Sequence, residues 1–91
     1  MNYQALGEHT AFKTQAKNAA FNRVSHVNNL MFSLRKVRDD SPDAIDVDSL
    51  RAQISEIEKA DIDMRDALAR TNRAGDECGQ RELTVADLLR S

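Results

Sequence analysis

The feature that most constrains the fold is an apolar repeat at steps of three and four residues. Its first run lies in residues 10–38 and consists of Ala16, Ala20, Val24, Val27, Met31 and Leu34. Residues three and four apart lie on one face of an α-helix, so the run predicts a helix. We place this first helix at residues 10–38, with an earlier start, near Tyr3 or Leu6, left open.

A second run of the same spacing occupies residues 48–72 and predicts the second long helix. Its apolar positions are Leu50, Ile54, Ile57, Met64 and Leu68. Asp61 falls where another apolar residue would complete the repeat, and two interpretations stay open. Asp61 could pair across the helix seam with a base such as Arg23. Alternatively, and in the interpretation we favour, the helix is rotated so that Ala60 lies on the seam and Asp61 faces solvent.

An aspartate-rich segment, residues 39–47, separates the two runs and is predicted to be a loop. Pro42 cannot lie inside a helix, because it lacks a backbone N–H and its ring clashes with the preceding turn. Asp46 or Asp48 is expected to cap the second helix, since a carboxylate there accepts hydrogen bonds from the unpaired amides of the first turn.

The C-terminal part predicts a loop, residues 73–83, followed by a short helix, residues 84–90. Helix breakers gather before and within that loop: Asn72, Gly75 and Gly79. Thr84 is a good N-cap, and Asp87 follows three residues later in a variant of the capping box. The short helix should therefore begin at Val85.

These elements predict an all-α fold with one domain, residues 1–91. Two long helices joined by a short loop fold back antiparallel, because neither can bury its apolar stripe alone. The fold is therefore a long antiparallel helical hairpin plus a short C-terminal helix. A two-helix unit of this size is marginal by itself, so we expect oligomerisation to complete its core.

Charge is partitioned between the two halves of the chain. Residues 1–38 carry six basic side chains against Glu8 alone, a net charge of +5. Residues 39–91 carry seven basic and fourteen acidic side chains, a net charge of −7. The two helices are thus complementary in charge. The acidic half and a pI of about 5.6 argue against generic duplex nucleic acid as a partner.

Sequence signatures of catalysis and of cofactor binding are absent. The chain has no glycine-rich phosphate loop and no Cys or His pair at metal-ligand spacing, so we predict no enzyme, no cofactor and no metal. No stretch approaches 18 apolar residues, and the first residues lack a signal-peptide pattern. With Cys78 as the single cysteine, these observations predict a cytoplasmic protein without a membrane span.

A second face of the first helix carries aromatic side chains. Phe21 and Phe32 are eleven residues apart, about three turns, and lie away from the apolar repeat. Asparagines surround them, and the predicted partner or oligomer interface is Phe21, Phe32, Asn18, Asn28 and Asn29. An exposed aromatic stripe is unfavourable unless something covers it. The cover could be another protomer, a different protein or a planar anionic ligand.

The leading functional hypothesis is a non-enzymatic, homo-oligomeric helical binding or adaptor protein that acts through protein–protein contacts. The alternative is a protein that sequesters a small ligand, a nucleotide or another phosphorylated anion, at a basic, Asn- and Phe-containing face between protomers. The residues expected to bind that anion are Lys13, Lys17, Arg23, His26 and Asn22.

Residues 68–90 also resemble a known family. The matching residues are Arg70, Thr71, Asn72, Leu83, Thr84, Ala86 and Leu88. In this stretch the chain resembles the septicolysin-like small all-helical bacterial proteins, in which a long helix ends in an Arg-Thr-Asn turn before a Leu-Thr helix start. The resemblance implies the same layout of two long helices and a final helix. We do not transfer the cytolytic activity that the family name suggests, because no segment here is suited to insertion in a bilayer.

Overall fold

The structure is a computed structural model that describes residues 3–40 and 42–90. Its helices are α1, Tyr3–Asp40; α2, Val47–Cys78; and α3, Val85–Leu89. The predicted all-α class and the long helical hairpin with a short C-terminal helix are confirmed. The described part measures 62 × 22 × 14 Å, so the hairpin is a rod rather than a globule.

Both long helices extend further than the sequence patterns predicted. The first helix begins at Tyr3, one of the earlier starts that the sequence left open, and not at residue 10, because Ala5 and His9 are buried against the hairpin and continue its packing surface. The second helix runs past residue 72 to Cys78, so the first six of the eleven residues of the predicted loop, residues 73–83, are helical. Burial of Ala74 and Gly75 accounts for this extension.

The two glycines of this region have different roles. Gly75 lies inside α2, where an added Cβ would come within 3.1 Å of Cδ2 of His9, so its missing side chain allows the close approach of α1. Gly79 ends α2 in the left-handed region, with φ = 80°. The backbone N–H groups of Gly79 and Gln80 both donate to the carbonyl of Gly75. This arrangement satisfies a carbonyl that the helix end would leave unpaired.

The helix starts follow the predicted capping chemistry. Asp46, one of the two candidates, caps α2, and its side chain accepts a hydrogen bond of 3.0 Å from the backbone N–H of Ser49. The predicted capping box of α3 is confirmed, with Thr84 and Asp87 each accepting from the other's backbone N–H, and α3 begins at Val85 as expected.

Buried side chains are confined to one end of the rod. We call this end, residues 3–20 of α1, 60–78 of α2 and the following residues 79–90, which include α3, the proximal half. Its hydrophobic cluster is Ala16, Ala20, Met64, Ala67 and Leu88. The rest of the hairpin, residues 21–40 and 42–59, is the distal half, and none of its described residues is buried. The fold is therefore packed at one end and open at the other.

The segment before α3 is held by one side chain of α2. Asn72 donates through its amide nitrogen to the carbonyl of Leu83 (3.0 Å) and accepts from the backbone N–H of Leu83 (2.8 Å). This two-point contact orients the chain so that Leu88 inserts between α1 and α2.

Removal of the Met64 side chain should test the proximal core. Met64 is the largest fully buried side chain, so Met64→Ala should lower the free energy of unfolding by about 2–5 kcal/mol. Ile62→Ala, two residues away and exposed, should change it by less than about 0.5 kcal/mol. Urea unfolding followed by circular dichroism measures both. Equal effects of the two variants would contradict the placement of the core.

The capping interaction of Asp87 at the start of α3 should make the free energy of unfolding decrease as the pH falls into the acid range. The Arg81 guanidinium, with the Thr84 backbone N–H, holds the pKa of the Asp87 carboxyl well below its usual range. A carboxyl with a lowered folded pKa stabilises the fold above its unfolded pKa of about 4 and loses that contribution as the pH falls. We expect the free energy of unfolding to decrease less between about pH 5 and pH 2 in Asp87→Asn than in the wild type. Parallel pH curves would contradict this role.

Candidate functional site

The helix seam of the distal half is not the one that the apolar repeat indicated. The half-buried positions of α1 there are Arg23, Val24, His26, Leu30, Ser33 and Val37. Val27, Met31 and Leu34, expected on the seam, are exposed, and so is Ile54 of α2. The expectation for these four residues is wrong because small buried residues set the rotation of both helices: Ala16, Ala20, Ala60 and Ala67.

Polar side chains fill the seam positions that this rotation creates. The amide of Gln53 donates to the Ser33 hydroxyl at 3.0 Å, and the Arg23 guanidinium donates to Asp61 at 2.7 Å. Both interpretations of residue 61 are thus correct in part. Ala60 is buried, as the favoured interpretation required, but Asp61 bonds to Arg23 instead of facing solvent alone.

Asp61 is the centre of a three-residue charge cluster at the boundary between the two halves. Its second oxygen accepts from Arg65 at 3.0 Å. The hydrogen bond from Arg23 lowers the pKa of the Asp61 carboxyl, and the bond from Arg65 lowers it further. The carboxylate is therefore held in its charged form between two guanidinium groups.

The displaced apolar side chains, with the half-buried Val24 and Ile57 beside them, lie along one face of the distal half. We define the distal apolar face as Val24, Val27, Met31, Leu34, Val47, Ile54 and Ile57. Val24 and Val27 of α1 line a groove of about 480 Å³ together with Ile54 and Ile57 of α2, so both helices contribute to it. Met31 and Leu34 follow Val27 by one and two turns, and Val47 precedes Ile54 by two turns, which places them along the same face.

The same face is covered in the proximal half. Ala20, Val27 and Leu34 are spaced by seven residues and so share one strip of α1, yet they are 0%, 38% and 47% exposed. Ala20 belongs to the cluster that Leu88 of α3 completes. The short helix α3 thus covers this face at one end, and the distal apolar face is its uncovered continuation.

The predicted aromatic face is also exposed. All five of its residues are accessible: Phe21, Phe32, Asn18, Asn28 and Asn29. The hairpin does not cover this face, but it is not the only apolar surface that the described residues leave open. The sequence analysis missed the distal apolar face because the apolar repeat predicts that these residues lie on the seam between the helices. The sequence does contain a signal for the actual rotation of the helices, which is its set of small seam residues: Ala16, Ala20, Ala60 and Ala67.

The residues expected to bind an anion are distributed around α1. Lys17 and Asn22 lie about 140° apart at 100° per residue, so they do not share a face. Arg23 is bound to Asp61, and His26 is half-buried at a seam position. Lys13 precedes Ala20 by seven residues and Lys17 precedes Val24 by seven. Both lysines therefore lie on the side of α1 that α3 covers. These five side chains do not form one anion site within a single hairpin.

A smaller cavity of about 290 Å³ lies on the proximal half. Two arginines and two glutamates contribute to its lining, which is Glu8, Phe12, Arg70, Arg73, Ala74 and Glu77. Arg70 already pairs with Asp66 at 3.0 Å. Within residues 3–40 and 42–90, no cluster of three or more His, Cys, Asp or Glu side chains could hold a metal ion. The described helices also include none with the length and hydropathy needed to cross a membrane.

Comparisons of the chain with protein-family models, with curated proteins and with solved structures give no match. The likeness of residues 68–90 to the septicolysin-like family therefore stays a prediction. One detail of it differs from the expected layout. Arg70, Thr71 and Asn72 lie within α2 and not in a turn at its end.

The pairing of Arg23 with Asp61 can be tested by titration. Replacement of Arg23 by Met should raise the pKa of the Asp61 carboxyl, because the hydrogen bond from Arg23 is the main cause of its lowering. Arg65→Met should raise the same pKa by a smaller amount. Carboxyl chemical shifts followed by NMR against pH measure both values. A larger rise in Arg65→Met would show that Arg23 is not the principal partner.

Proposed function

We propose that this protein is a non-enzymatic, homo-oligomeric helical binding protein, an adaptor of the cytoplasm that acts through protein–protein contacts at its distal apolar face. One observation carries the proposal. Five large apolar side chains are exposed side by side on the face that α3 covers at the other end of the rod: Val27, Met31, Leu34, Val47 and Ile54.

The energetics of this face favour a macromolecular cover. Full burial of a Val, Leu, Ile or Met side chain contributes about 1.5–3 kcal/mol, so covering each half-exposed one contributes about 1 kcal/mol. Contiguous exposed apolar surface with a polar rim is typical of protein interaction sites. A groove between two helices suits an amphipathic helix, whose own apolar stripe would lie along it.

The shape and polarity of the groove favour a protein over a small ligand. From Val24 to Leu34 the face extends about 15 Å along α1 at 1.5 Å per residue, which matches a helix of three turns. Small-molecule sites place a few polar groups toward the ligand. Here Arg23 and Asp61, the two half-buried polar residues of the groove, already pair with each other at 2.7 Å, whereas the other two, Asn28 and Glu58, are exposed.

Charge substitutions on the two sides of α2 should separate binding from folding. Ile54→Asp places a carboxylate on the distal apolar face, whereas Ile62→Asp places one at an equally exposed position of the outer surface. We expect the wild type and Ile62→Asp to self-associate at micromolar concentration. Ile54→Asp should weaken association at least tenfold while α-helical content stays the same, because it buries an unpaired charge in the interface.

Sedimentation equilibrium at several protein concentrations measures these affinities, and circular dichroism measures the helical content. A wild type that stays monomeric at about 100 μM, far above a micromolar dissociation constant, would contradict the proposal. Loss of association in Phe32→Glu but not in Ile54→Asp would instead assign the interface to the aromatic face.

A further inference from the structure

We infer that residues 81–90, which contain α3, form a latch that opens as one unit while the helical hairpin stays closed. We call this segment the C-terminal latch. In the closed state it occupies the groove between α1 and α2 in the proximal half, and its opening extends the accessible groove of the distal half into that region. The inference goes beyond the proposed function, because the opening takes place within a single chain.

The polar contacts of the C-terminal latch are nearly all internal. The Asp87 carboxylate accepts hydrogen bonds from Arg81 and from both the backbone N–H and the hydroxyl of Thr84. Among the residues that the structure describes, the hydrogen bonds that join the latch to the rest of the chain are the two between Asn72 and Leu83. The polar network therefore holds the latch together and ties it to the hairpin at a single side chain.

Leu88 supplies the apolar contact between the C-terminal latch and the hairpin. It is fully buried and packs with Ala16, Ala20 and Met64 between the long helices. A helix of five residues is too short to be stable by itself in water, so α3 is helical only while it is docked. Undocking therefore releases the whole latch, with residues 79–80 after the end of α2 as its hinge.

The hairpin has contacts of its own that do not involve the C-terminal latch. His9, Ala60 and Ala74 are buried but do not belong to the cluster that contains Leu88. The hydrogen bond from Arg23 to Asp61 also joins α1 to α2 directly. Opening of the latch thus exposes less apolar surface than unfolding of the hairpin does. Local openings of this kind have a lower free energy than global unfolding.

Opening of the C-terminal latch lengthens the accessible groove. Ala20, Val27 and Leu34 share one strip of α1, and the two that the latch does not cover are 38% and 47% exposed. Without its cover Ala20 becomes accessible in the same way. The groove then extends from Ala16 to Leu34, about 27 Å along α1 at 1.5 Å per residue, instead of about 15 Å from Val24. The latch is thus an intramolecular occupant that limits the length of open groove.

Hydrogen exchange followed by NMR tests whether the C-terminal latch opens as a unit. The reporter is the amide of Leu88, which donates to the carbonyl of Thr84 within the latch. Asn72→Ala removes the two hydrogen bonds to Leu83 and should lower the protection factor of Leu88 about tenfold or more, because each such bond typically contributes a factor of about two to ten. Glu82→Ala is the matched control within the latch. The Glu82 side chain forms no hydrogen bond or ion pair among the described residues, so the protection of Leu88 should not change.

A variant of the hairpin tests whether α2 stays folded when the C-terminal latch opens. Ala60→Gly weakens α2 outside the cluster that contains Leu88, and it should lower the protection factor of Met64 about fivefold, the usual effect of glycine inside a helix. The protection factor of Leu88 should stay the same, because the latch opens without unfolding α2.

Thiol labelling tests what the opening exposes. In a Cys78→Ser background, Ala20→Cys and Ala60→Cys each place a thiol where the alanine is at most 2% exposed. The thiol at position 20 lies beneath the C-terminal latch, whereas the thiol at position 60 lies between the long helices outside the cluster of Leu88. A water-soluble disulfide reagent should therefore react at least tenfold faster at position 20. Circular dichroism verifies that both variants keep their helical content.

These measurements can overturn the inference in three ways. Equal loss of protection at Leu88 and Met64 in Ala60→Gly would mean that α3 and the hairpin unfold together. No response of Leu88 to Asn72→Ala would mean that α3 only frays at its end. Equal labelling at positions 20 and 60 would mean that opening does not extend the groove. Each readout is intramolecular, so a failure here leaves the proposed self-association standing, and a monomeric wild type leaves the latch standing.

Discussion

The close approach of α1 and α2 through small side chains is the constraint on which the rest of the structure depends. Ala16 and Ala20 meet Ala67 and Met64, and near the end of the rod Gly75 leaves room for His9. Because alanine side chains are small, the backbones of the two helices can approach closely. At that separation, only one rotation of each helix turns its alanines toward the other helix. The proximal half thereby fixes how both helices are oriented over their whole length.

The rotation set at one end determines what the other end exposes. Carried along α1 and α2, it places Arg23, Ser33 and Gln53 on the seam, where Arg23 donates to Asp61 and the Gln53 amide nitrogen donates to Ser33. Larger apolar residues such as Met31 and Ile54 are turned outward as a consequence. The distal apolar face is therefore a result of packing elsewhere in the molecule and not of local propensity.

The short helix α3 shows how such a face is covered within this chain. It is anchored by Asn72, capped by Thr84 and Asp87, and it inserts Leu88 into the groove between the long helices. The chain supplies this cover for only half of the rod. A helical hairpin that is closed at one end and open at the other leaves apolar side chains accessible on a rigid support, and that is the surface at which we propose that the protein binds.

The sequence by itself determined that three helices form and how α2 and α3 begin, because local signals specify these features. Apolar spacing identified the two long helices, Asp46 was one of two proposed caps, and Thr84 with Asp87 located the start of α3 at Val85. The extension of α1 to Tyr3 and the continuation of α2 through Gly75 were decided by tertiary burial, which overrides local breakers. Tertiary packing also decided which apolar side chains form the distal apolar face. A repeat at steps of three and four fits two neighbouring stripes of a helix, and only the packing of alanines against alanines selects which stripe faces inward.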